Sequence, residues 1–312
     1  MSLYVCAIGL AEILLQRDLL PFPGGGVDLA GDYSGDRAQI LIRPNGPFST
    51  DNSFALVSLV NFFLLVLLKQ MIGKMAPWQR CLHRLGIATS LLAGFLPLFR
   101  SVLISIVVIL VVDIWYHHGR ARVRRIGAMA VIVVGLLLMR SALPAVFEER
   151  SDMWNLYGRI AQQRQTLLIV IDHPMFGVGL NNFRDAVSRS TRYSTSYLEA
   201  ESQDSPHNTL GAIAAETGLV GLVPFLLAQV LLFWAFLSLP SGRNSTLARG
   251  AARQTGLYLL LLYWINGLSL TSGYAAELNI WFALVLSMTY AWAAGGNTVE
   301  SDRAKTQAFQ PS

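Results

Sequence analysis

The chain has 312 residues, of which 53% are hydrophobic and only 14% charged. Soluble domains carry about 25% charged residues, so this composition excludes an ordinary globular protein and describes a polytopic membrane protein. The net charge of +5 does not point to nucleic acid as a partner, because the basic residues mostly sit beside apolar spans.

Taken in order, eight apolar segments are expected, making an all-α fold. The first, residues 3–15, is short and holds Glu12, so it is marginal as a span and reads as the remnant of a longer N-terminal region. A polar loop with Gly24-Gly25-Gly26 leads to a second span at 54–72, where Lys69 can snorkel. A basic stretch, 74–84, precedes an apolar run at 85–116 with Arg100 near its middle. One straight helix over that run would be roughly 48 Å long against a hydrocarbon core of about 30 Å. It would also put the basic flanks 74–84 and 120–125 on opposite sides, against the positive-inside rule. A helical hairpin with Phe99-Arg100-Ser101 at its outer tip satisfies both constraints. Residues 126–146 then cross outward, 209–239 return, and spans near 256–270 and 278–294 finish the membrane part.

This gives four regions. Residues 1–146 hold the N-terminal transmembrane helices with a first periplasmic loop. Residues 147–208 form a large periplasmic loop bearing short helices and the catalytic residues. Residues 209–294 are the C-terminal transmembrane helices, and 295–312 a cytoplasmic tail. The expected location is the bacterial inner membrane, multi-pass.

There is no Walker A sequence, no HExxH and no Gly-x-Ser-x-Gly elbow. The long loop offers no Cys and only two His, so no metal and no cofactor is expected. Arg100, between two short membrane arms, reads either as a functional residue or as a side chain reaching the outer headgroups. Residues 153–171 carry Leu156, Ile160, Leu167, Leu168 and Ile171 at helical spacing, a pattern that suits a helix lying on the membrane. Arg159, Gln162, Gln163 and Thr166 fall toward its polar side, which is either a solvated face or a substrate-binding one. Ser205 can cap a helix with Pro206 at its first position, placing His207 in the first turn. The helix terminus there disfavours imidazolium and keeps the ring neutral, as a general base requires. A plain structural histidine is the alternative. His173, in Asp172-His173-Pro174, reads as turn chemistry, and Glu216 as structural.

Five ordered motifs resemble the O-antigen ligase and polymerase superfamily of bacterial membrane glycosyltransferases. Gly46-Pro47-Phe48-Ser49 with Asn52-Ser53-Phe54-Ala55 is similar to the family's approach to an early helix. Phe99-Arg100-Ser101 resembles its hairpin tip, and Tyr157-Gly158-Arg159 the start of its periplasmic loop. The run from His173-Pro174-Met175-Phe176-Gly177-Val178-Gly179 to Phe183 resembles its His-Pro-x-x-Gly-x-Gly element. Pro206-His207-Asn208, followed by Glu216-Thr217-Gly218-Leu219-Val220-Gly221, is the strongest match. Phe99 stands where the family usually has Thr or Ser, and Gln163 where it often has Trp. Family members usually carry several more N-terminal helices.

The resemblance implies transfer of a glycan from an undecaprenyl-diphosphate carrier to an acceptor hydroxyl in the periplasm. The partners would be that lipid-linked glycan, an acceptor glycan or lipid A core, and membrane lipids, with no nucleic acid. It implies His207, Arg159 and Arg100 as catalytic residues, and Arg159, Arg100, Asn208 and Gln162 on the substrate. Guanidinium groups suit a diphosphate leaving group because they offer fixed bidentate donors. Ligase and polymerase are not distinguished by these motifs. A transporter or a non-catalytic assembly subunit that binds lipid-linked oligosaccharide remains the alternative.

Overall fold

A computed structural model of the chain describes residues 1–15, 19–20, 44, 46–48, 50–72, 75–116, 119–142, 153–193, 206, 208–239, 247–268 and 276–308. Among these residues there are ten helices and no strand. They are α1 (Ser2–Leu15), α2 (Asp51–Met71), α3 (Pro77–Phe95), α4 (Arg100–Tyr116) and α5 (Arg120–Ala142), then α6 (Met153–Asp172), α7 (Phe183–Arg189), α8 (Thr209–Ser238), α9 (Leu247–Gly267) and α10 (Ala276–Ala308). Two of them, α2 and α8, are long and apolar enough to cross a membrane by length and composition.

The 85–116 run is indeed split, but two residues earlier than its arginine. The turn falls at Leu96–Phe99, where Leu98 takes a left-handed φ of 53° and its N–H returns to the Phe95 carbonyl. Arg100 is therefore the first residue of α4. The basic stretches expected as loops prove helical at their ends. Pro77 opens α3 at a position where its missing N–H costs nothing, and Gln79 accepts a 2.9 Å bond from the Ala76 N–H. Arg80 and Arg84 therefore lie on α3, Arg122, Arg124 and Arg125 on α5, and Arg249 and Arg253 on α9. Likewise α10 runs past Ala294, where a tail was expected, to Ala308.

Helix α2 is central, packed against α3, α9 and α10, with α1 laid on α3. Thr50 starts it, its hydroxyl accepting from the Ser53 N–H at 3.1 Å, and Asp51 complements the positive end of the helix. Phe54, Ala55 and Leu59 of α2 are buried in one cluster with Val102 of α4, Leu259 of α9 and Val285 of α10. Between helices in lipid, close approach rather than water exclusion drives packing. Gly94 supplies it on α3: a Cβ there would come within 2.7 Å of the Leu59 side chain.

Two buried charges are accounted for by their partners. Glu12, fully buried on α1, accepts from the Gly46 N–H at 2.8 Å and the Leu19 N–H at 3.2 Å, so the short first helix is a fixed part of the bundle. Asp113, near the end of α4 away from Arg100, is an acidic residue that the apolar pattern passes over. It accepts from Arg125 of α5, Gln254 and Tyr258 of α9, tying three helices together. Buried acceptors of this kind persist because each lone pair finds a donor. Arg253 caps the end of α8, donating to the Phe236 and Leu237 carbonyls at 3.0 and 3.1 Å.

Candidate functional site

The site grows from the meeting of α6 with the first turns of α8. Asn208 is the N-cap of α8: its side-chain oxygen accepts from the Leu210 and Gly211 N–H groups at 3.0 and 3.2 Å. This corrects the expected register, in which Ser205 capped and His207 lay inside the helix. The helix opens at Thr209, so Pro206 and His207 precede it. The physical reason is tertiary as well as local. With Asn208 at the cap, its amide nitrogen is free to donate to Gln163 of α6 at 3.3 Å. Gln163 thus joins α6 to the cap. Gly211 completes the contact, since a Cβ there would lie 2.9 Å from the Thr166 methyl.

Helix α6 buries a mixed face, with Ala161 and Ile169 beside polar residues. Gln162, Gln165 and Thr166 are buried, whereas Ile160, Leu167 and Ile171 are exposed. The expected polar side is therefore only partly a solvated face. Arg159 and Gln163 are exposed, and Gln162 faces inward with an oxygen that has no hydrogen-bond partner among the described residues.

The second meeting was not foreseen in the sequence. Helix α8 breaks at Gly218 (φ 62°, ψ −159°), a backbone region essentially reserved to glycine. In an unbroken helix the Leu219 and Val220 N–H groups would donate to the Ala215 and Glu216 carbonyls. Instead the loop 174–179 takes all four groups. Leu219 and Val220 donate to the Pro174 and Met175 carbonyls at 2.8 and 3.2 Å, and Val178 and Gly179 donate to the Ala215 and Glu216 carbonyls, both at 2.9 Å. Gly177 (φ 63°) lies against the break, where a Cβ would sit 2.5 Å from the Ala215 oxygen. The glycines of both motifs are thus one device, a loop that substitutes for the missing helix bonds.

A small core holds this device in place, with Ile169 of α6, Phe183 and Val187 of α7, Tyr193 and Ala215 of α8. Tyr193 donates to Asp172 at 3.0 Å, and Arg192 pairs with the same carboxylate at 2.8 Å. Burial and that hydrogen bond push the Tyr193 phenol above its ordinary pKa, which keeps it a donor. His173 shapes the turn through its backbone, its N–H donating to Ile169 and its carbonyl accepting from Gly177. Glu216 is buried beside the break.

The expected residues thus divide. Arg159, Gln162 and Asn208 are brought to one end of the α6–α8 pair. His207 lies outside the described residues, although its neighbours Pro206 and Asn208 belong to them. Arg100 is exposed at the start of α4, a helix that packs chiefly on α9 and α5. Asn208→Ala should lower stability by about 0.5–2 kcal/mol through the lost cap, while Asn208→Asp keeps the cap and loses only the donor to Gln163. Thermal unfolding of the two purified variants checks the order.

Residues 85–226 match the family model described as O-antigen ligase. No curated protein matches the chain. Over that stretch, which is under half of the chain, the sequence is similar to the O-antigen ligase family.

Proposed function

We propose that this chain belongs to the O-antigen ligase family and transfers a glycan from an undecaprenyl-diphosphate carrier to an acceptor hydroxyl on the periplasmic side of the bacterial inner membrane, without a metal. The observation that carries the reading is the junction of α6 with the Asn208 cap. It brings the helix bearing Arg159 against the segment that follows His207 directly in sequence. In this reading residues 1–146 and 209–294 are the membrane parts, 147–208 the periplasmic loop and 295–312 a cytoplasmic tail.

The acceptor hydroxyl attacks the anomeric carbon as the bond to the diphosphate oxygen breaks. Negative charge develops on the leaving undecaprenyl diphosphate, and Arg159 and Arg100 stabilise it with fixed donors aimed at phosphate oxygens. The hydroxyl proton passes to His207, acting as the general base. Gln162, with its buried oxygen, offers an acceptor for a substrate hydroxyl.

The test is purified protein with lipid-diphosphate-linked oligosaccharide. Release of undecaprenyl diphosphate with a new glycosidic bond is the expected result, and donor binding without turnover would assign the chain to carriers or scaffolds. Arg159→Ala and Arg100→Ala should each abolish transfer in folded protein. Arg159→Lys should recover part of it, because lysine keeps the charge but not the bidentate geometry. Donor affinity should fall together with rate, since diphosphate contacts exist before the transition state as well as in it. Full activity of both Arg159→Lys and Arg100→Ala would end the diphosphate-clamp assignment.

A further inference from the structure

The loop that repairs the α8 break carries an apolar tip that is largely uncovered among the described residues. Among the described residues Phe176 is 74% exposed and Leu180 76%, and Met175 beside them is more than half exposed. No charged side chain occurs from Pro174 to Asn182. The charges of this subdomain lie beyond the tip: Asp172 pairs with Arg192 beside Tyr193, Asp185 pairs with Arg189 on α7, and Arg184 is on the same helix. Three large apolar side chains on a glycine-rich tip would be a liability in water.

The hydrogen bonds of the break fix where this tip stands. From Leu219 to Ser238 the second part of α8 has 20 residues, about 30 Å of helix, which is the thickness of a hydrocarbon core. With that part taken as the span, Gly218 falls at the membrane boundary, and the Pro174 and Met175 carbonyls are bonded to the first two residues inside it. The tip cannot float above the surface, because its backbone is tied to that level. Its apolar side chains continue the outward face of α8, where Leu219, Val220, Val223 and Leu227 are exposed. The complete pairing of the four groups freed by the break points the same way. Water would satisfy such groups at no cost, whereas hydrocarbon leaves each one costing several kcal/mol.

We propose that Phe176 and Leu180, on the tip held at the Gly218 break, are immersed among lipid acyl chains in the leaflet at the N-terminal end of α8. The tip is then a wedge that fixes the depth of the loop carrying α6. This rests on the membrane reading of the chain but not on the proposed reaction. Lipid is favoured over a second copy or a soluble partner because the patch is continuous with the face of a spanning helix.

Phe176→Cys and, separately, Leu180→Cys would be made in a Cys6→Ser, Cys81→Ser chain and labelled with an environment-sensitive fluorophore. The protein is then placed in phosphatidylethanolamine–phosphatidylglycerol vesicles whose acyl chains are partly brominated. Ser188→Cys, on the exposed side of α7, serves as the aqueous control. Labels at 176 and 180 should lose most of their emission to the brominated chains and little to iodide in the buffer, with the reverse at 188. Iodide quenching at 176 and 180 equal to that at 188 would put the tip in water and overturn the proposal. Shielding from both quenchers would mean protein covers the tip, which overturns it equally. No turnover is measured, so a negative result leaves the proposed glycosyl transfer standing.

Discussion

His207→Ala is expected to lose transfer while still binding the lipid-linked donor. In the proposed reaction the proton leaves the acceptor hydroxyl only as that hydroxyl attacks, so the base contributes to the transition state and not to the bound ground state. General bases of this kind contribute about 10²–10⁴ in rate. The corrected register matters here. With Asn208 as the cap, the histidine precedes in sequence a helix that is joined to α6 through Gln163. A histidine that merely anchors the loop predicts a different outcome, in which donor binding or folded protein is lost. Donor binding by the purified variant and single-turnover transfer separate the two. Folded His207→Ala protein that binds donor and turns over like the parent chain would remove this residue from the base role.

Much of the helical layout was legible because membrane geometry leaves few choices. The run at 85–116 is too long for one span and has basic residues at both flanks. Those two facts call for a hairpin, and the structure does split the run into two helices. What stayed hidden depends on which segments meet. Asp113 sits in a stretch whose other residues are apolar, and only Arg125, Gln254 and Tyr258, up to 145 positions away, give it a reason to be there. Glu12 marked its helix as marginal, yet the amides that hold it come from the loop that follows. The cap of α8 was misread because Ser205-Pro206 is the stronger local start signal, and the deciding partner, Gln163, is remote in sequence. The polar stripe of α6 was visible, but whether it faced solvent or protein depended on α8. Even so, a signal for the helix break existed. Glu216-Thr217-Gly218 with Gly221 sits inside an otherwise continuous apolar helix, and an isolated glycine there carries a structural reason.

Substitution at that break has the largest expected effect on stability. Gly218→Ala forces a side chain into a backbone region that costs about 1–3 kcal/mol for any other residue. Its Cβ would also overlap the Met175 carbonyl and lie 2.5 Å from the Phe176 nitrogen, both backbone atoms that cannot swing aside. Relief requires the loop to withdraw, and withdrawal breaks the four bonds at 174–179. Each buried group left without a partner costs about 1–3 kcal/mol. The total should exceed about 3 kcal/mol and lower the apparent unfolding temperature by on the order of 10 °C. Gly177→Ala attacks the same joint from the loop side, with its Cβ against the Ala215 and Glu216 carbonyls. Because both changes undo one pairing, the double variant should cost little more than the worse single one, a clear departure from additivity. Gly135→Ala and Gly250→Ala are the controls: both glycines lie inside helices, and a Cβ at either meets nothing within 4 Å. They should be neutral or slightly stabilising, because alanine is the better helix former. Thermal unfolding in detergent across the five variants tests the set. If Gly218→Ala melted with the controls, or if the two glycine effects simply added, the loop would not be what replaces the missing turn of α8.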